Sequence, residues 1–300
     1  MQKISGIIIL LFSCTLSFAQ GTKQGPRVLI VTAHPDDETA MAATIYKVTH
    51  DLKGTANLCV ITNGEAGYKY STLAEPIYNK ELTIPEVGRK YLPAIRKKEL
   101  KAACKVIGIS KIFFLLELDS KYGLDERDPL DTSWNVNRVK KKLNEILVDG
   151  NYDFVFCLLP VPGTHGGHKA ASLLALRSVM SLNNDHKPII LGVTGSSATD
   201  TAKVEFKQLK DYTETKIMEN VSPFVFDKTV KFGYKDKLDY RVIVNWEIAE
   251  HKSQGTMQLA MNQGDFENYW YFEINGVGGI DKAKKFFEAL KQLNFEKRVY

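Results

Sequence analysis

Arg27-Val28-Leu29-Ile30-Val31-Thr32-Ala33 runs directly into His34-Pro35-Asp36-Asp37-Glu38, and the join between these two stretches decides how the chain folds. The first stretch is apolar and β-branched without alternation, the pattern of a strand covered on both faces. The second opens with proline and continues with three acids. Proline's fixed φ suits the first turn of a helix, and carboxylates are favoured at the positive end of the helix dipole. A strand that passes straight into a helix is half of a parallel crossover unit. In an open parallel sheet the carboxyl edge of such a strand is where ligands bind.

Outward from this join the alternation repeats. Ala56 to Thr62, Lys111 to Leu116 and Tyr152 to Leu159 read as further buried strands, with Ile189 to Val193 and Tyr240 to Val244 as shorter ones. Apolar spacing predicts helices over Glu38 to His50, Ala94 to Ile107, Trp134 to Val148, His168 to Met180, Glu247 to Asn262 and Asp281 to Leu293. The order predicts an α/β, Rossmann-like fold, a mostly parallel sheet with helices on both faces, in a single domain over residues 20–300. Asn63 to Pro93 is long for a connection inside a compact domain. Its Tyr68, Tyr70, Tyr78 and Tyr91 read either as a wall for stacking sugars or as rings that pack the loop on itself.

The 300 residues are 44% hydrophobic and 25% charged, which supports a full core and argues against disorder. Lys3, the apolar run Ile7 to Phe18 and the small residues of Ser17-Phe18-Ala19 read as a signal peptide over residues 1–19, cleaved after Ala19. Export to the periplasm or the extracellular space follows. That apolar run is shorter than the ~20 residues a stable membrane span needs, and lipid attachment at Cys14 is the minor alternative. Basic and acidic residues interleave at a net charge of +5, so no dense basic face for nucleic acid emerges. Cys59, Cys104 and Cys157 are dispersed in apolar stretches and read as buried small hydrophobes, not as a disulfide framework.

A second cluster, Thr164-His165-Gly166-Gly167-His168, also follows a buried strand and opens a helix. Two such junctions of one parallel sheet share its carboxyl edge, so these histidines can approach His34 and Asp37. One histidine and one carboxylate from the first junction, with a histidine from the second, have the composition of a catalytic zinc site with an open fourth position. Fe2+ or another divalent ion suits the same ligands. Amide hydrolysis also needs a base for the attacking water and a donor for the oxyanion. Asp36 suits the first role. His165 suits the second and the later protonation of the leaving nitrogen, and Glu38 supports from behind, orienting His34 or capping the helix. A nucleotide-binding reading is weak, because neither G-x-G-x-x-G nor a P-loop follows the first strand.

Ala33 to Glu38 spells AHPDDE, and with the later HxxH of His165 to His168 the chain resembles the LmbE-like, or PIG-L, family of zinc-dependent de-N-acetylases along most of its length. The resemblance implies that zinc is bound by His34, Asp37 and His168, that Asp36 is the general base and that His165 is the electrostatic helper. Thr62 to Gly67 resembles the family's glycine-rich turn, Arg96 with Glu99 its RxxE helix start, and His251-Lys252-Ser253-Gln254 its late H-x-S-Q segment. Arg96, Asp119 and His251 are the substrate contacts this implies. Gly167 departs from the polar residue that many bacterial members carry there, which would leave the histidines less tightly oriented. The expected activity is hydrolytic removal of an acetyl group from an N-acetylated amino sugar or glycoconjugate. A non-catalytic carbohydrate-binding protein on the same fold is the alternative.

Overall fold

The computed structural model describes residues 25–183, 187–202 and 204–292. The expected signal peptide and Leu293 at the end of the last expected helix lie outside the described residues. Seven strands, β1 (Arg27–Thr32), β2 (Thr55–Thr62), β3 (Ile109–Glu117), β4 (Phe154–Leu158), β5 (Ile189–Ser196), β6 (Phe224–Asp227) and β7 (Phe266–Tyr271), form one sheet in the order β3-β2-β1-β4-β5-β7-β6. The first five run parallel, while β7 is antiparallel to both β5 and β6.

Strand alternation sorts the side chains into two cores. Val28, Ile30, Leu58, Val60, Phe154 and Phe156 face one, and Leu29, Val31, Cys59, Ile61, Val155 and Cys157 the other. The first core is closed by a helical run after β1, a 3-10 turn at Asp37–Met41 leading into α1 (Ala42–Tyr46) and a π turn at Lys47–Asp51, together with α3 (Pro85–Val106), α6 (Arg241–Ile248) and α8 (Ile280–Leu290). The second is closed by α4 (Val136–Gly150) and α5 (Gly166–Met180). Two short helices, α2 (Glu75–Tyr78) and α7 (Gly255–Gln258), lie near the carboxyl edge. The three cysteines are buried and unpaired, as their apolar settings predict. No helix among the described residues is long and apolar enough to cross a membrane.

Three expectations are corrected. The helix expected to start at Ala94 starts at Pro85, where proline occupies the first turn with Glu86 beside it, and Pro93 is carried inside the helix. Tyr240 to Val244 is not a strand: Asp239 Oδ1 accepts from the Arg241 N–H, and Ile243 and Val244 lie on the buried face of α6. The helix expected over Glu247 to Asn262 is instead the end of α6, a loop carrying His251, Ser253 and Gln254, and α7. β6 and β7 were not expected. β7 is anchored by the buried Glu267, which accepts from Ala43 N, Thr44 N and Thr44 Oγ1 in α1.

β1 is hydrogen-bonded to β2 on one side and β4 on the other, so the order of connections reverses between β1 and β4. The loops leaving these two strands diverge there and open a crevice at the carboxyl edge. His34 to Glu38 follow β1, and His165 and His168 follow β4.

Candidate metal centre

Asp37 Oδ2 is fixed by two backbone donors, Ala33 N at 3.0 Å and His34 N at 2.8 Å. Its Oδ1 therefore turns outward, to 3.0 Å from His168 Nε2. His34 Nδ1 completes the group, 3.1 Å from His168 Nε2 and 3.6 Å from Asp37 Oδ2. Ligands at the usual zinc distances in a tetrahedral arrangement are about 3.3–3.6 Å apart. Two imidazole nitrogens and the two oxygens of one carboxylate already lie near that spacing, one oxygen toward each ring, so the donor set fits a divalent ion. Burial opposes charge on both partners, but the mutual attraction wins. Asp119 and Asp37 push His34 up to about 10, and His168 with His34 holds Asp37 well below the usual carboxylate range.

The other ring nitrogens are held too. His168 Nδ1 is 3.0 Å from Thr164 Oγ1, which leaves Nε2 for the metal. His34 Nε2 faces Asp119 Oδ1 at 3.7 Å, the carboxylate-behind-imidazole arrangement that orients metal-binding histidines. Asp119 is itself fixed by Ala66 N on Oδ2 and by its own N–H on Glu65 Oε2. It stands at the pocket wall as well, so its first contact is with His34.

Asp36 is next to the ligands but turns another way. Its Oδ2 pairs with Arg96 Nη2 at 2.9 Å, and burial, with Asp37 adding, raises its pKa against the pull of Arg96. Arg96 was expected to touch substrate. It is buried, and its guanidinium donates to Gly64 O and Pro35 O as well as meeting Asp36, so it clamps the first junction to the loop after β2. Gly64, at φ +69, lies so close against that guanidinium that any side chain there would strike it.

His165 stacks on Tyr122 and packs against His34 and His168, with ring centroids 5.0, 4.9 and 5.4 Å away. Burial, with His34 and His168 adding, pushes its pKa down to about 4, so the ring is neutral near pH 7. Its Nδ1 is buried without a protein hydrogen-bond partner. One of its nitrogens lies within 4.8 Å of the His34 and His168 donors. Gly167 sits beneath these rings: a Cβ there would come within 3.0 Å of His165 Nδ1 and 3.2 Å of His34 Cε1.

His251 does not reach substrate, contrary to expectation. It is fully buried with Nε2 2.9 Å from Glu38 Oε1 and 3.4 Å from Glu247 Oε1. Burial opposes its charge, but Glu38 and Glu247 raise its pKa well above the usual value, while Glu247 is driven strongly upward by burial and by Glu38. Glu38 Oε2 accepts from Asp36 N at 3.1 Å, so Glu38 braces Asp36 and not His34.

Above these groups lies an open pocket of about 330 Å³, within the range of small-ligand sites. Its walls include Tyr70, Tyr122, Leu158, Gln254, Thr256 and Met257. Of the four loop tyrosines, only Tyr70 lines it, while Tyr68, Tyr78 and Tyr91 pack on the small cluster of Ala74, Leu82 and Leu92. Tyr122 and Gln254 were missed as wall residues. Gln254 stood in the H-x-S-Q segment and was open to detection, whereas Tyr122 follows β3 in a loop with no motif.

A family model described as GlcNAc-PI de-N-acetylase, PIG-L, matches residues 29–179, half of the chain. A probable N-acetyl-α-D-glucosaminyl L-malate deacetylase 2 of Bacillus cereus is 28% identical over 166 residues, 55% of this chain and 66% of that protein. The chain thus spans just under two thirds of that relative's length. Among solved structures, an A40926 pseudoaglycone deacetylase superposes with a TM-score of 0.51 at 15% identity, over 83% of this chain and 97% of the other. A conserved protein of Thermus thermophilus gives 0.51 at 16%, over 83% and 94%. At those identities the two structures establish the fold.

Proposed function

Because the chain belongs to the PIG-L family, we propose that it is a metal-dependent hydrolase that removes the acetyl group from an N-acetylated amino sugar or glycoconjugate. The observation that carries this reading is the convergence of His34 Nδ1, the Asp37 carboxylate and His168 Nε2 beside Asp36, on the floor of an open pocket. Zn2+ or a similar divalent ion held by those three residues would supply Lewis acidity and bring the pKa of water to about 7.

The chain's own residues do the rest. Asp36 takes the proton of the attacking water, its raised pKa making it a better base than a surface carboxylate. His165 offers an N–H to the oxygen that gains charge as the amide carbonyl becomes tetrahedral. A neutral His165 has no second proton to give, so Asp36 delivers the proton it has taken to the leaving nitrogen. Water and amide become acetate and amine. Gly167 slightly favours the alternative, a carbohydrate-binding protein without catalysis; against that, the bond from Thr164 to His168 supplies an orientation that Gly167 does not, and acetate release separates the two readings.

Metal content and acetate release from a panel of N-acetylated sugars test the reading together. Asp36→Ala should keep its metal and lose roughly 10²–10⁴ in kcat. His168→Ala should lose the metal, and His165→Gln should keep it with reduced turnover. Equal activity in the Asp36 and His168 variants and the parent would end the mechanism. Export is part of the same proposal, and a mature N-terminus beginning at Gln20 in protein recovered from outside the cytoplasm would support it.

A further inference from the structure

Asp36 stands at φ 146° and ψ −13°, a conformation that non-glycine residues avoid. Such strain persists only where the surroundings over-determine it. Here they do. Its N–H donates to Glu38 Oε2 at 3.1 Å, its carbonyl accepts from Thr39 N–H at 3.3 Å and Thr39 Oγ1 at 2.8 Å, and its Oδ2 meets Arg96. Oδ1 is the polar atom of Asp36 without a bond among the described residues, and the residue lines the pocket.

Of these holders, Glu38 is the one with a partner from the far end of the chain. Its Oε1 lies 2.9 Å from His251 Nε2, across 213 positions of sequence and wholly inside the core. The loop that presents His251 is pinned in turn. Gln258 Nε2 donates to the carbonyls of Ile248 and His251, and Ser253 donates through N and Oγ to the two oxygens of Glu99. We infer that His251 is a positioning residue for the deacetylation proposed above: by holding Glu38 Oε1 it keeps Oε2 on the Asp36 N–H, and so keeps Asp36 Oδ1 aimed into the pocket. Filling the core does not explain the contact, since an apolar side chain of similar size would leave Glu38 Oε1 and Glu247 Oε1 buried without the partner that His251 Nε2 gives them.

The test uses the full metal-loaded chain and acetate release. His251→Leu removes the donor and keeps the bulk, whereas His251→Gln keeps a donor that can reach Glu38. The expected result is at least a tenfold fall in kcat for His251→Leu, with KM and metal stoichiometry within twofold of the parent, and recovery of most of the loss in His251→Gln. Because the effect passes through Glu38, adding His251→Leu to Glu38→Ala should cost less than threefold more than Glu38→Ala alone. A folded His251→Leu with the parent's kcat, or penalties that multiply in the double variant, overturns the inference. If His251→Leu does not fold, His251→Gln against His251→Asn, whose shorter amide cannot span to Glu38, decides in the same way. An inactive parent would instead remove the deacetylase reading itself, a different result from an active parent indifferent to His251.

Discussion

Thr164 Oγ1 lies 3.0 Å from His168 Nδ1, and that bond selects which ring nitrogen His168 turns toward Asp37. Losing such a partner typically costs 10- to 100-fold in metal affinity. Thr164→Val, which keeps the shape and deletes the hydroxyl, should therefore bind metal roughly 10–100-fold more weakly in a chelator competition; parent-like affinity would show that the hydroxyl is idle. Gly167→Asp would restore the polar residue expected from the family resemblance, yet its Cβ would press on His165 and His34. That His34, Asp36, Asp37 and His168 would meet was legible because each is contiguous with a strand end whose position the apolar pattern fixes. Arg96 and His251 were placed near the site, but the protein partners that hold them were not foreseen. A motif match reports proximity, whereas the direction of a guanidinium or an imidazole depends on carbonyls and acids from distant segments: Gly64 and Pro35 for Arg96, Glu38 and Glu247 for His251.

α6 shows why a segment's own pattern is not enough. Arg241-Val242-Ile243-Val244 has a strand's composition, but Asp239 caps the Arg241 N–H and pairs with Arg241 and Lys231, which starts a helix where β propensity alone would start a strand. Burial opposes ionisation of Asp239, but those partners, Arg241 first, hold its pKa at about 2 against an ordinary 3.8. A carboxylate depressed in the folded state adds stability that is whole above pH 3.8 and lost as the pH falls from there toward 2. Discounted for the partial exposure of its partners, the contribution is roughly 1–2 kcal/mol. Asp239→Asn should lose about that much near neutral pH in denaturant titrations, and its stability should fall less steeply than the parent's between pH 4 and 2. Curves parallel through that range would show the carboxylate to be passive. The parallel strands were readable for the opposite reason: buried on both faces, they have no polar alternation to blur them. β6 and β7 escaped because Phe266 to Tyr271 alternates burial and carries the buried Glu267, whose partners lie more than 200 positions away in α1.

At the scale of the whole molecule, a net charge of +5 suggests attraction of anions, yet the pocket is built the other way. Asp36, Asp37 and Asp119 line it and would be balanced by Arg96 and the divalent ion proposed above, and among its described lining residues no other side chain carries a fixed positive charge to meet an anion on the substrate. The two terminal nitrogens of that guanidinium are held by Asp36 and two carbonyls, while nearby Arg89 is held by the carbonyls of Asp119 and Ser120 and Lys121 by Asp128. Tyr70 and Tyr122, 42% and 64% exposed, offer ring faces that suit a sugar. A carboxylate or phosphate beside the scissile acetamide would be desolvated here without a partner, which is costly. Uncharged acetamido sugars should therefore show kcat/KM at least about tenfold above sugars bearing a carboxylate or phosphate on the anomeric oxygen. Thr256→Lys, placing a cation on the exposed pocket rim, should narrow that gap at low salt. Anionic sugars that react faster than neutral ones at low salt, and slow as salt is added, would show that the pocket attracts the charge it was expected to refuse.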